Sequence, residues 1–294
     1  FKKIKLNKKY LSYNFKNLIK EEFKFDNNLR SIILSHINYI FFKKLKIKNF
    51  EIGKIYSCHE NQIIDKGWSL GVNKYFPKAK YVGYQGATLH PQFFNLSITK
   101  QEFLSGVVPK NIILIGREYL NNRKLFSNKI NYKITDKNRF FFEKERKKKI
   151  HVLFLLSGID SVDKIMLKIF KDFYDKKVKN LKIKFHPILP RKNLTVKVNN
   201  ETKTEASNLI RSSKVVVTSS YTSALYESLA NDINTIMIDF TPFDLDLYKK
   251  LKRFSGKIHF CKDSEEILSK INEMKDYKKF KYKEQKKFKK SFFN

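Results

Sequence analysis

Short continuous apolar runs alternate with stretches whose apolar positions recur every three to four residues, and the alternation repeats along most of the chain. The runs Lys54–Cys58, Lys80–Tyr84, Asn111–Ile115 and Ile150–Leu156 predict strands, as do Leu181–Phe185, Lys214–Thr218, Thr235–Asp239 and Lys257–Phe260. Helical periodicity covers Asn28–Phe42, Ile63–Phe76, Arg117–Phe126, Ser161–Tyr174, Phe243–Phe254 and Ser264–Met274, the last with Asp263 or Ser264 as its cap. In a further helical stretch Ala224, Leu225, Leu229 and Ala230 share one face, and Glu227 lies on another. Strand and helix in regular alternation predict the α/β class with parallel sheets. Between Asn128 and Lys149 the pattern stops: the segment is polar, then basic (FFEKERKKK), without a period. It reads as a connection between two Rossmann-like units, residues 1–140 and 141–294.

Parallel sheets bind ligands beyond the carboxyl ends of their strands, so the polar residues there are the candidates for chemistry. Leu181–Phe185 stops at His186-Pro187, where proline lacks the N–H that would continue the ladder. Lys214–Thr218 opens into Ser219, Ser220, Tyr221, Thr222 and Ser223 ahead of a helix. Hydroxyls and helix-start amides together favour an anion, although the same serines also fit an ordinary helix cap. In the first half Lys54–Cys58 empties into His59, Glu60, Asn61 and Gln62. Lys80–Tyr84 ends at Gln85-Gly86, and His90-Pro91 lies in the loop that follows.

A formal charge of +34 narrows the partners less than its size implies. Lysine is abundant together with asparagine, isoleucine and phenylalanine, which makes a lysine-rich solvated surface a sufficient explanation. An anionic membrane surface or a polyanion are the functional alternatives. No RNP-like, zinc-finger or helix-turn-helix signature supports nucleic acid. The segment Lys275–Asn294 interleaves lysine with Phe and Tyr; it reads either as a solvated helix or tail, or as a membrane-contacting segment. Two cysteines far apart, Cys58 and Cys261, form neither a disulfide framework nor a zinc pattern, and fit a reducing cytoplasm. Asp244-Leu245-Asp246 has a metal-binding spelling but begins a helix, where acidic residues already have an electrostatic reason to stand. No P-loop or G-x-G-x-x-G fingerprint is present. The chain starts at Phe1, not Met, and is expected to be a fragment with an incomplete first unit.

His186-Pro187 followed by Ser219-Ser220 resembles the HP and SS motifs of bacterial sialyltransferases and Kdo transferases, which are glycosyltransferases of the GT-B type. The pairing is also similar to that of CDP-glycerol glycerophosphotransferases. The resemblance implies two Rossmann-like domains facing a cleft and a CMP-activated sugar gripped by His186, Pro187, Ser219 and Ser220. Thr222 and Ser223 are further candidates for binding the donor's phosphate, and Glu227 is a candidate ribose ligand. In the first half the ENQ cluster, the strand ending in GYQ and the segment VPKNIILIG look like bacterial surface-carbohydrate biosynthesis proteins. Relatives often carry histidine where Gly86 stands.

Such an enzyme needs no tightly bound cofactor or metal, because preorganised donors stabilise the departing phosphate. It does need a base for the acceptor hydroxyl. Glu60 is the first choice and His59 the second, with Gln62, Gln85 and His90 as acceptor-side candidates. The expected acceptor is a surface glycan such as lipopolysaccharide or capsule, or its lipid-linked precursor, at the cytoplasmic face of a bacterial inner membrane. The alternatives are a CDP-glycerol-type polyol-phosphate transferase and a non-enzymatic polyanion-binding protein.

Overall fold

The computed structural model describes residues 27–86, 96–124, 126–135, 150–187 and 204–274, with residues 288, 291 and 292. Its strands sort into two all-parallel sheets. The first takes β1 (Lys54–Cys58), β2 (Lys80–Gln85), β3 (Asn111–Leu114) and β4 (Asn131–Ile134) side by side in chain order. Helices α1 (Asn27–Ile47), α2 (Ile63–Tyr75), α3 (Lys100–Leu104) and α4 (Leu120–Arg123) precede and link these strands, with a tight turn at Arg117–Tyr119. The second unit runs β5 (Ile150–Leu155), α5 (Asp160–Asp175), β6 (Leu181–Lys184), α6 (Ala206–Arg211), β7 (Ser213–Thr218), α7 (Ser223–Ala230), β8 (Asn234–Ile238), α8 (Pro242–Lys252), β9 (Ile258–Cys261) and α9 (Ser264–Glu273). Its strands lie in the order β6-β5-β7-β8-β9.

Continuous apolar strands need cover on both faces, and the second sheet has it. Val152, Phe154, Val215 and Val217 point to one side, where Phe170 and Phe173 of α5 and Ile267 of α9 cover them. The alternate residues Leu153, Leu155 and Val216 point to the other, under Leu209 and Ile210 of α6.

Two expectations change. Residues 131–134 belong to an edge strand paired with β3, not to a connection between units. The Lys275–Asn294 segment is not wholly solvated, because Phe288 and Phe292 are fully buried. They stack at 4.9 Å and join Ile115 and Tyr119 of the first unit to Leu225, Tyr226 and Leu251 of the second. The approach is close at Gly116: a Cβ there would lie 2.3 Å from the Phe292 carbonyl oxygen. A Lys250–Glu118 ion pair at 3.2 Å lies across the same seam.

Removing the Phe292 ring leaves a cavity in this shared core. Phe292→Ala is expected to cost about 3–5 kcal/mol in urea denaturation, and Gly116→Ala to destabilise through the backbone clash. Phe→Ala at a solvated tail would leave the midpoint unchanged.

Candidate functional site

Strand order determines what can meet at the end of the second sheet. The chain passes from β5 to β6 on one side, then crosses back to β7 on the other. The switch point between β5 and β7 is where open α/β sheets bind ligands. With strands about 4.8 Å apart, the ends of β6 and β7 lie about 10 Å from each other across β5. His186 follows β6, Ser219 and Ser220 follow β7, and Ser157-Gly158 follows β5 between them.

Local packing fixes each of these. Thr218 Oγ1 donates to the Leu155 carbonyl at 3.0 Å and ties the end of β7 to the end of β5. Gly158 adopts φ +84°, and a Cβ there would fall 2.7 Å from His186 Nδ1, so the imidazole rests against bare backbone. Pro187 beside it is exposed. Asp163 is buried and accepts from the Ser157 amide (2.7 Å), the Ser157 hydroxyl (2.7 Å) and the Gly158 amide (2.8 Å). Sequence reasoning missed this carboxylate, which shapes the turn against which His186 lies. Its one signal was an acidic residue in the first turn of a helix.

The helix starts around the sheet divide sharply by charge. Asp163 fills that of α5. Asp244 accepts from the Phe240 and Thr241 amides ahead of α8 at 3.0 and 2.8 Å. Asp263 caps α9 by accepting from Glu265 and Glu266 at 3.0 and 2.9 Å. The Asp244-Leu245-Asp246 spelling is thus explained at its first position by a cap. Helix α7 has no acidic residue in its first turn. Thr222 caps it with a hydroxyl that accepts from the Ala224 amide at 3.3 Å, and Ser219 Oγ accepts from the Tyr221 amide at 3.4 Å. Ser223 is the first residue of the helix and partly exposed. Ser220 Oγ is buried and has no hydrogen-bond partner among the described residues, an arrangement that costs free energy unless something fills it. Glu227 does not lie on an outward face: all of Ala224–Ala230 is buried, Glu227 included.

Of the first-unit candidates, Glu60 is partly exposed, donates its amide to Asp65 (2.9 Å) and accepts from Gln62 Nε2 (3.0 Å). Gln62 is exposed at the start of α2. His59 is not presented to solvent. Its ring is fully buried, neither nitrogen has a hydrogen-bond partner among the described residues, and Asp65 is 4.0 Å away. Burial holds its pKa down at about 4. Gln85 is also internal: it donates to the Leu96 carbonyl and accepts from Arg123 Nε, both at 3.0 Å. One end of the amide thus braces the buried Arg123 and the other holds the Leu96 carbonyl, so both are engaged inside the protein. His90 lies outside the described residues.

No protein-family model and no curated protein matches the sequence. Solved structures match at low identity. A protein of Listeria monocytogenes assigned as a UDP-N-acetylglucosamine 2-epimerase superposes with a TM-score of 0.51 at 9% identity, over 89% of this chain and 73% of that one. A kitacinnamycin glycotransferase gives 0.49 at 7%, over 90% and 77%, and the spinosyn rhamnosyltransferase SpnG gives 0.46 at 11%, over 82% and 71%. The likeness is one of fold, the GT-B type of α/β architecture with two Rossmann-like units.

The buried His59 makes stability depend on pH. Its folded pKa, about 4, is below the unfolded value of about 6.5. Above pH 6.5 both states are neutral there and stability is full; as pH falls toward 4 the unfolded chain binds a proton that the fold refuses. Between pH 7 and 5 the wild type is expected to lose about 2 kcal/mol through His59. In urea denaturation at the two pH values, His59→Phe should remove that part of the loss.

Proposed function

We propose that the chain is a glycosyltransferase that moves a sugar from a nucleotide donor, a CMP-sugar by preference, to a surface glycan or its lipid-linked precursor. Residues 141–294 would hold the donor and residues 1–140 the acceptor. The observation that carries this reading is the start of α7, which lacks a carboxylate of its own and has the unpartnered Ser220 hydroxyl buried beside it. His186 stands across β5, against Gly158. A phosphate there would accept from Ser219, Ser220 and the imidazole, and the helix start would stabilise its charge. Glu227, buried further along α7, is the proposed ribose ligand.

In the reaction the acceptor oxygen bonds to the anomeric carbon as the bond from that carbon to the phosphate oxygen breaks. The phosphate departs with the electron pair, and Glu60 takes the acceptor proton. Fixed hydrogen-bond donors aimed at the departing oxygen lower the barrier because they need no reorganisation. Glu60 takes the base role over His59 because a base must reach its proton, and the His59 ring is enclosed.

A nucleotide-sugar epimerase is the second reading, favoured by the Listeria monocytogenes likeness. It would use the same grip on the donor and need no acceptor. A CDP-glycerol-type transferase would release CMP only from CDP-glycerol.

Two measurements test the proposal. CMP is expected to raise the melting temperature, by an amount equivalent to about 2.7 kcal/mol at a hundred times its Kd. Ser220→Ala, which breaks no hydrogen bond in the free protein, should leave unliganded stability within about 0.5 kcal/mol and weaken CMP about 5- to 30-fold. Stabilisation by short DNA alone, steeply salt-dependent, would transfer the protein to the polyanion binders. With donor and acceptor supplied, Glu60→Gln should lower kcat about 10²- to 10⁴-fold while CMP binding is kept.

A further inference from the structure

Helix α1 is apolar on two sides, and only one is covered among the described residues. Its inner side packs on α2: Phe42 is buried, Asn38 donates to the Ile64 carbonyl at 3.3 Å, and Gly67 lets the Ser35 backbone come close. On the outer side Ile33, Ile37 and Phe41 are 50%, 53% and 46% exposed. Spaced four residues apart, they form one stripe, continued by Arg30 at one end and Lys44 at the other, both exposed. Lys46 and Lys48 stand exposed around the last turn, and Phe50 just beyond is 54% exposed. A contiguous exposed apolar patch marks a contact surface.

We propose that this outer face of α1 docks on an anionic lipid membrane, with α1 lying in the plane of the interface. Charge selects the occupant. The chain carries +34, so a second copy brought to this face is repelled. Residues 1–26 carry eight lysines against three acidic residues, the same sign as the lysines around this face. Anionic headgroups supply the opposite sign, and the acyl region accepts the Ile33, Ile37 and Phe41 side chains while lysine stems reach up to the headgroups. Docking of this kind is independent of the transfer reaction, since α1 holds no residue assigned to donor or base.

The only tryptophan, Trp68, reports on it: its ring stacks on Phe41 at 6.1 Å and meets Phe42 edge-on at 4.8 Å. The full chain is titrated with vesicles of phosphatidylcholine and of mixed phosphatidylcholine and phosphatidylglycerol, with brominated acyl chains as quenchers of Trp68. Binding to the mixed vesicles with quenching is expected, and little binding to the neutral ones. The double variant Ile33→Asn/Ile37→Asn keeps every charge and is expected to bind the mixed vesicles about tenfold more weakly, with an unchanged melting temperature. Equal binding by the variant and the wild type would show that charge alone holds the protein, and would overturn the proposal. So would a wild type that ignores both vesicles, or light scattering that finds a dimer which the double variant dissociates.

Discussion

The imidazole of His186 occupies the space where almost any residue other than Gly158 would carry a side chain. With φ at +84° and no Cβ, the β5–α5 turn lets the ring lean onto it from the end of the neighbouring strand. Asp163 holds that turn by taking both hydrogens of Ser157 and the amide hydrogen of Gly158. On the other side of β5, the Thr218 hydroxyl bond to Leu155 fixes where β7 ends and Ser219 begins. A short network around one strand end thus sets the positions of three segments far apart in sequence. The proposed donor grip depends on it more than on any single ligand.

Charge at the helix starts gives that strand end its direction. A carboxylate at a helix start meets the free amides and removes the attraction for an outside anion. Asp163, Asp244 and Asp263 do this for their own helices. Helix α7, capped by a neutral hydroxyl, keeps its field. Selectivity between positions on one sheet therefore rests on which helix starts carry an acid, a property of single residues.

Most of the fold was legible in the sequence because parallel strands buried on both faces advertise themselves as apolar runs; β1, β5 and β7 lie within a residue of the expected bounds. What was missed had physical reasons. Strand β4, NYKI, is an edge strand with alternating exposed and half-buried positions, too short for a period to show. Helix α3 did carry a signal, the Thr99 and Glu102 capping box, which was overlooked for its shortness. Phe288 and Phe292 stand four apart, on one helical face, but lysine-rich surroundings hid the spacing. The positions of His186 and the serines beyond their strands were legible from the ends of the apolar runs. Asp163 was not, since its three partners come from a turn whose shape the sequence does not spell. His59 and Gln85 stood at strand ends as candidates do, yet tertiary packing turned both inward.

The aromatic pair that closes the seam has a consequence for biogenesis. Ile115 and Tyr119 await partners from Phe288 and Phe292, which the ribosome delivers long after the first sheet has emerged. The nascent first half must then wait with an apolar shelf uncovered, a surface that chaperones recognise and that invites clumping. Contacts so distant along the polymer also make for slow closure. Closing the seam therefore waits until Phe288 and Phe292 have been made, and loss of the segment that carries them would leave both halves unfinished at once.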